Sequence, residues 1–186
     1  MGRIETLCER YNSLIDLPWQ RTLSGDQKTI FIVYPKTDER RLRLRLPEFE
    51  MATTSAGHPW LLCDLTDAFA QWMAAHEYRE AYFEEPELIH NELETSFMPE
   101  VAERLRSVLQ RVEADENAVV AVCGVGSLYG LTRLSLVLRE VVNDIRGRLV
   151  VFFPGEYEQN NYRLLDARDG FNYLARPITL HDGGLA

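Results

Sequence analysis

The chain has 186 residues, of which 46% are hydrophobic, and its 29 acidic and 20 basic side chains give a formal charge of −9. This length and apolar content predict one folded domain over residues 1–186 and exclude a chain that is disordered throughout. The negative charge argues against binding of the nucleic-acid backbone as the main activity, because such binding needs a clustered positive surface. A local basic patch, and with it direct DNA contact, stays open as an alternative.

Cysteine usage and hydropathy further restrict the class of protein to which the chain can belong. Cys8, Cys63 and Cys123 form no CxxC pair and have no histidine at metal-ligand spacing, so we expect buried thiols rather than a disulfide framework or a metal site. The sequence has neither an apolar signal segment at its start nor 18 consecutive apolar residues. We therefore expect a cytoplasmic protein that does not enter a membrane.

Apolar, β-branched runs predict strands that are buried on both faces of a parallel sheet. These runs cover 29–34, 60–63, 118–123 and 149–153, with a weaker fifth at 173–179. Segments with helical periodicity lie before and between these apolar runs. The predicted helices cover 3–16, 65–79, 97–113 and 131–145. The alternation predicts an α/β fold with a mostly parallel sheet of about five strands and flanking helices.

The segment 38–57 carries two conflicting signals. Arg and Leu alternate from Arg41 to Leu46, as they would in a strand, whereas Pro47 followed by Glu48 is typical of a helix start. We interpret the segment as a mostly helical crossover that is broken at Pro47.

Residues 76–116, called the acidic flank below, contain 12 acidic and 4 basic side chains, so the remainder of the chain is nearly neutral. The segment is too long for an ordinary connection, and Pro86 and Pro99 should divide it into short helical pieces. We expect a helical insertion against the sheet with a negative outer face. That face is a predicted surface for a basic protein partner.

A glycine-rich turn, Gly124 to Gly130, follows a buried strand and precedes a helix. Ligands of open parallel sheets bind beyond the carboxyl ends of the strands, and backbone N–H groups in such a turn can hold a phosphate. Gly124, Gly126 and Ser127 are therefore candidate cofactor-binding residues. However, a Walker A loop needs GxxxxGK[ST], and the chain has no lysine after Lys36. Tight packing of strand against helix is the favoured interpretation, and no cofactor is expected.

Other polar residues give weaker signals. Glu156 and Asp166 could form an acid/base pair with His181 as a base, but no nucleophile accompanies them, so solvated loop carboxylates are favoured and no catalytic residue is predicted. The Arg40–Arg45 cluster could meet an acidic partner or nucleic acid, although its alternation with leucine favours an ordinary amphipathic surface. A nucleotide- or nucleic-acid-binding module that uses this cluster or the Gly124–Gly130 turn is the alternative function.

The most unusual sequence in the chain is FFPGEY at 152–157. Bulky aromatic residues beside Pro-Gly predict a tight turn and an ordered loop. Tyr and Arg are enriched in protein interfaces, so this segment holds candidate partner-binding residues, although a loop packed onto its own domain fits equally well. The candidates are Phe153, Pro154, Gly155, Glu156, Tyr157 and Arg163.

Several of these elements together resemble the BrxB family of bacterial BREX phage-defence systems, and FFPGEY is the most specific of them. The likeness is good over 118–178 and thinner over 28–38 and 58–75, while the acidic flank matches only in its helical character. The residues that carry the likeness are Val122-Cys123-Gly124-Val125-Gly126-Ser127, FFPGEY, Leu165-Asp166 and Tyr173.

The resemblance implies a RecA/AAA-like α/β domain without a Walker lysine, and the family offers no established catalytic residues to carry over. It also implies a place in a complex with a PglZ phosphatase-like protein, a large BrxC-like ATPase and a PglX-like DNA methyltransferase. We therefore expect a non-enzymatic adaptor of a BREX-type system. Direct contact with the PglZ-like protein is the leading hypothesis.

Overall fold

A largely parallel sheet forms the centre of the protein. The computed structural model describes residues 2–181, so residues 1 and 182–186 of the predicted domain lie outside the described residues. Within that range the sheet has six strands in the order β2–β3–β4–β1–β6, and β5 pairs with β4 outside this path. Only β5 is antiparallel to its neighbour, so the predicted α/β fold is confirmed. The strands are β1 (Thr29–Tyr34), β2 (Trp60–Asp64), β3 (Val119–Cys123), β4 (Arg148–Glu158), β5 (Asn161–Leu164) and β6 (Arg176–Ile178).

Helices cover both faces of the sheet. Helices α1 (Arg3–Ile15) and α2 (Glu39–Ser55) pack on one face, which we call face A. The opposite face, face B, is covered by the helices that precede β3 and β4 and by the segment after β5. No helix within residues 2–181 has the length and apolar character needed to cross a membrane. The helices on face B are α3 (Ala68–Ala75), α4 (Arg79–Glu84), α6 (Met98–Leu109) and α7 (Leu134–Val141).

Two adjacent phenylalanines of β4 anchor the two hydrophobic cores. Successive side chains of a strand point to opposite faces, so Phe152 enters the core on face A and Phe153 the core on face B. The ring of Phe152 lies 5.0 Å from that of Phe49 on α2. The ring of Phe153 lies 5.3 Å from that of Phe31 on β1. Both phenylalanines are fully buried.

Helix α2 corrects the prediction of a break at Pro47. The helix runs without interruption from Glu39 to Ser55 with Pro47 inside it. Leu42 and Phe49, on either side of the proline, are both fully buried. Because both halves of the helix pack on the sheet, the helix tolerates the loss of the one hydrogen bond that Pro47 cannot donate.

The acidic flank forms a helical layer on face B. Its middle part is a chain of short turns: a 3₁₀ turn (Pro86–Ile89), helix α5 (His90–Glu92) and a π-helical turn (Leu93–Phe97). Pro99 does not divide the flank, because it lies in the first turn of α6, where a missing N–H costs no helical bond. Tyr82 and Phe97 attach the layer to the core.

FFPGEY forms a strand, so the predicted tight turn at Pro154-Gly155 is wrong. Strand β4 continues through both residues to Glu158 and forms a hairpin with β5, which we call the β4–β5 hairpin. The chain reverses at Gln159 and Asn160, both of which have positive φ. Pro154 is tolerated because the pairing of β4 with β3 has ended at Val151, and the pairing with β5 starts at Gly155.

Gly155 is required by the close approach of the two hairpin strands. A Cβ atom at this position would lie 2.0 Å from the carbonyl oxygen of Arg163 on β5. We therefore expect Gly155→Ala to lower the free energy of unfolding by about 1–3 kcal/mol, as measured by urea denaturation. Gly126→Ala is the matched control, since its Cβ would meet nothing nearer than Pro154 Cγ at 3.4 Å. Equal stability of the two variants would contradict this account of Gly155.

Candidate functional site at the carboxyl edge of the sheet

The carboxyl ends of the parallel strands bring the sequence candidates together at one edge. Tyr34 ends β1, Asp64 ends β2 and Cys123 ends β3, while β4 passes the same edge at Pro154. Beyond this edge lie the glycine turn, the β4–β5 hairpin and the start of α2. The edge is where ligands bind in open parallel sheets, so it is the candidate functional site.

The glycine turn is packed closely against the neighbouring strand end. Gly124 has φ +77°, and a Cβ there would lie 2.5 Å from the backbone nitrogen of Thr66. The turn also satisfies its own backbone, because the amide of Ser127 donates to the carbonyl of Gly124 at 3.0 Å. A 3₁₀ turn (Val125–Leu128) follows, and α7 begins only at Leu134, so the turn does not open directly onto an α-helix as predicted. Gly124 is thus closely packed, but against the turn after β2 and not between a strand and a helix as predicted.

A network of polar side chains connects α2 with the end of β2. Arg43 is at its centre: its Nε donates to Glu39 Oε1 at 2.9 Å, and one Nη donates to Asp64 Oδ2 at 3.3 Å. Its other Nη donates to Thr66 Oγ1 at 2.5 Å. The hydroxyl of Tyr34 adds a 2.5 Å hydrogen bond to Glu39 Oε2. Sequence analysis placed Arg43 in a basic cluster, but its contact with Asp64 joins two elements that lie 21 residues apart in the chain.

Titratable groups in and beside this network have shifted pKa values. Burial raises the pKa of Asp64, but hydrogen bonds from the hydroxyl and amide of Thr66 and the charge of Arg43 outweigh burial and hold that pKa below its ordinary value. Burial raises the pKa of the Cys123 thiol to about 12, and the nearby carboxylate of Asp64 adds to the shift. Burial likewise raises the pKa of Cys63 to about 11. Both thiols are therefore protonated near neutral pH and are poor nucleophiles.

The rest of the Arg40–Arg45 cluster is also largely paired with carboxylates. Arg45 Nη2 lies 2.5 Å from Glu5 Oε1, and its Nη1 lies 3.0 Å from Glu48 Oε1. Arg41 lies 3.5 Å from the buried carboxylate of Asp38. The Arg45–Glu5 contact joins α2 to α1, whereas the other two contacts are local to α2 and the turn before it.

A crevice of about 670 Å³ opens between the end of β1, the β4–β5 hairpin and the segment after β6. It brings Glu156, Asp166 and His181 to one cavity, although they are distant in sequence. Lys36, which sequence analysis did not single out, also lies there and pairs with Asp166. Within residues 2–181, no group of three or more His, Cys, Asp or Glu side chains is arranged to hold a metal ion.

The six candidate partner-binding residues divide into buried and accessible ones. Phe153 and Pro154 are buried, so they fix the position of the hairpin. Gly155 and Tyr157 are half-buried and line the crevice. Glu156 is exposed and lies 3.8 Å from Arg163 across the hairpin. Contact of these residues with a partner stays a prediction.

The acidic flank exposes large apolar side chains that the sequence pattern did not reveal. Phe83 is 64% exposed, Tyr78 61% and Leu88 49%. They belong to α4, the turn before it and the 3₁₀ turn after it. Their signal in the sequence is weak because helices this short have no clear period. The exposed acidic and apolar groups thus occur together on one segment.

Comparison with known proteins gives one match. The family model described as "BREX protein BrxB" matches residues 63–177, which is more than half of the chain. The matched region runs from the end of β2 through the acidic flank and the glycine turn to beyond the β4–β5 hairpin. No curated protein and no solved structure matches the chain.

The paired state of Asp64 predicts a specific pH dependence of stability. Because folding lowers the pKa of Asp64, its contribution is present above the unfolded-state pKa and is lost as the pH falls through the folded-state pKa. We expect Asp64→Asn to lower the free energy of unfolding near pH 7 by about 1 kcal/mol, since the pair is partly exposed, and the difference to shrink as the pH falls below about 4.

Urea denaturation as a function of pH measures this difference. Asp169→Asn is the control, since Asp169 is exposed and is in none of these contacts. A difference between wild type and Asp64→Asn that does not change with pH would contradict the assigned role.

Proposed function

The chain belongs to the BrxB family of BREX proteins, components of BREX phage-defence systems, and from this premise we propose that it works there as a non-enzymatic protein adaptor. Its direct partner in this proposal is the PglZ-like phosphatase-superfamily protein. The BrxC-like ATPase and the PglX-like methyltransferase are further members of the same complex.

The observation that carries the proposal is the surface of the acidic flank. Apolar side chains as exposed as Phe83 and Tyr78 are costly in water when they remain uncovered, and exposed apolar groups rimmed by charge are typical of interaction sites. Glu77, Glu84, Glu85 and Glu87 are exposed beside them. A basic partner surface with an apolar centre would satisfy both features of the flank.

The polar groups at the carboxyl edge support the adaptor over the nucleotide-binding alternative. A phosphate-binding turn needs free N–H groups, whereas Gly124 packs against Thr66 and the amide of Ser127 bonds within the turn. Arg43 and Arg45 are engaged by carboxylates of the same chain. Nucleotide binding at these two places would therefore require existing contacts to break.

Removal of negative charge from the acidic flank tests the proposal. We expect the combined variant Glu77→Gln, Glu84→Gln, Glu85→Gln and Glu87→Gln to weaken binding to the PglZ-like protein by about tenfold or more, since each rim charge contributes some tenths of a kcal/mol. The loss should be concentrated in the association rate and should diminish at high salt. Biolayer interferometry with the immobilised PglZ-like protein measures both quantities.

A variant with equal change in net charge controls for non-specific electrostatics. Glu9→Gln, Glu50→Gln, Glu140→Gln and Asp169→Asn remove four exposed carboxylates elsewhere on the molecule. We expect this variant to bind like the wild type. A wild-type chain that stays monomeric in the presence of micromolar PglZ-like protein would refute direct contact with that partner.

A further inference from the structure

At its C-terminal end, strand β4 pairs with β5 along one side, and in residues 2–181 no strand pairs with the other side beyond Pro154. In an antiparallel pair, every second residue directs its backbone N–H and C=O towards the partner strand. The amide of Leu165 donates to the carbonyl of Pro154 at 2.9 Å, so Pro154, Glu156 and Glu158 are the residues that face β5. Gly155 and Tyr157 therefore direct their backbone groups to the opposite side, towards β1.

Strand β1 does not extend far enough to cover this side. The pairing of β1 with β4 ends at the pair Tyr34 and Pro154, after which Pro35 turns the chain into a 3₁₀ turn. In residues 2–181 no other strand pairs with this side of β4. The carbonyl of Gly155 and the N–H and carbonyl of Tyr157 thus form a short, open strand edge, and both residues line the crevice.

The crevice has the size and charge to receive a peptide. Its volume is about 670 Å³, and its walls are the open edge on one side and the turn after β1 on the other. Glu156, Glu158 and Asp166 supply negative charge; Lys36 pairs with Asp166 and Arg163 lies 3.8 Å from Glu156, so the charge of Glu158 is the one without a cation in these pairs. A peptide with basic side chains is therefore favoured over an acidic one.

We propose that an extended, basic segment of the protein partner enters this crevice and adds a short strand to the open edge at Gly155 and Tyr157. The inference rests on the proposed adaptor function and specifies how the partner is held. Main-chain hydrogen bonds to Tyr157 provide affinity, and alternate side chains of the segment reach Glu156 and Glu158 on one face and Tyr157 on the other.

The geometry also accounts for the unusual FFPGEY sequence. Phe152 and Phe153 hold β4 in the two cores, Gly155 lets β5 approach, and Pro154 lies where the strand exchanges one neighbour for another. The hairpin is then held away from β1 by its pairing with β5, which keeps the edge at Tyr157 accessible. These residues of the motif thereby contribute to presenting the open edge.

A pair of variants at one position isolates the backbone hydrogen bond. Tyr157→Pro removes the N–H from the open side of β4, which is a tolerated place for proline because that N–H has no strand partner in the free protein. Tyr157→Ala removes the same side chain but keeps the N–H. Both variants lose the contacts of the Tyr157 side chain, so the N–H is measured by the difference between them. We expect Tyr157→Pro to bind the PglZ-like protein about tenfold more weakly than Tyr157→Ala does, because a carbonyl of the partner segment is then buried without a hydrogen-bond donor.

Hydrogen exchange on the wild-type chain gives a second readout that does not depend on how the proline variant folds. The amide of Tyr157 should exchange rapidly in the free protein and become protected in the complex, whereas the amide of Glu156, already paired with β5, should change little. Equal affinities of the two variants, with no protection of Tyr157, would overturn strand addition and leave the adaptor function intact. Absence of any complex would overturn both.

Discussion

Two adjacent phenylalanines of strand β4, Phe152 and Phe153, hold the helical layers on both faces of the sheet in position. Because Phe152 enters the core of face A and Phe153 the core of face B, neither helical layer can shift without displacing the strand that both share. Strand β4 pairs with β3, β1 and β5 in turn, so its position also sets the register of the strands around it. The aromatic rings of Phe31 and Tyr162, 4.4 Å apart, extend the same core to the hairpin.

Electrostatic pairing follows from this packing. Since α2 lies on face A as one rigid helix, Arg43 is carried to the ends of β1 and β2, where it meets carboxylates from both its own helix and the sheet. The part of the carboxyl edge next to α2 is thereby filled with internal ion pairs. The acidic flank, with its exposed acidic and apolar side chains, lies on the far side of the sheet from α2. The two faces therefore differ in character: paired charges join the helices of face A, whereas face B carries the exposed side chains of the flank.

Much of the fold was predictable because buried parallel strands leave long apolar runs and amphipathic helices leave a 3.6-residue period. Three of the errors occurred at prolines. A proline signals a break only when its N–H would have been used. At Pro47 tertiary packing, at Pro99 a place in the first helical turn, and at Pro154 a change of partner strand made that bond dispensable. The site was less predictable, since the contact of Arg43 with Asp64 joins residues from different elements. The open edge at Tyr157 depends on where β1 stops, which no local pattern encodes.

The β4–β5 hairpin has a thermodynamic consequence for any chain that pairs with it. Buried aromatic rings already hold the backbone of the hairpin in place. One of them belongs to Tyr162, whose hydroxyl donates to the carbonyl of Ala175 at 2.8 Å. The β4–β5 hairpin therefore has little conformational entropy left to lose when a partner binds. The ordering cost then falls almost entirely on the incoming segment, at about 1–2 kcal/mol for each residue that becomes fixed. Stiffness of the partner's segment, rather than rearrangement of this protein, would therefore set the affinity of the complex.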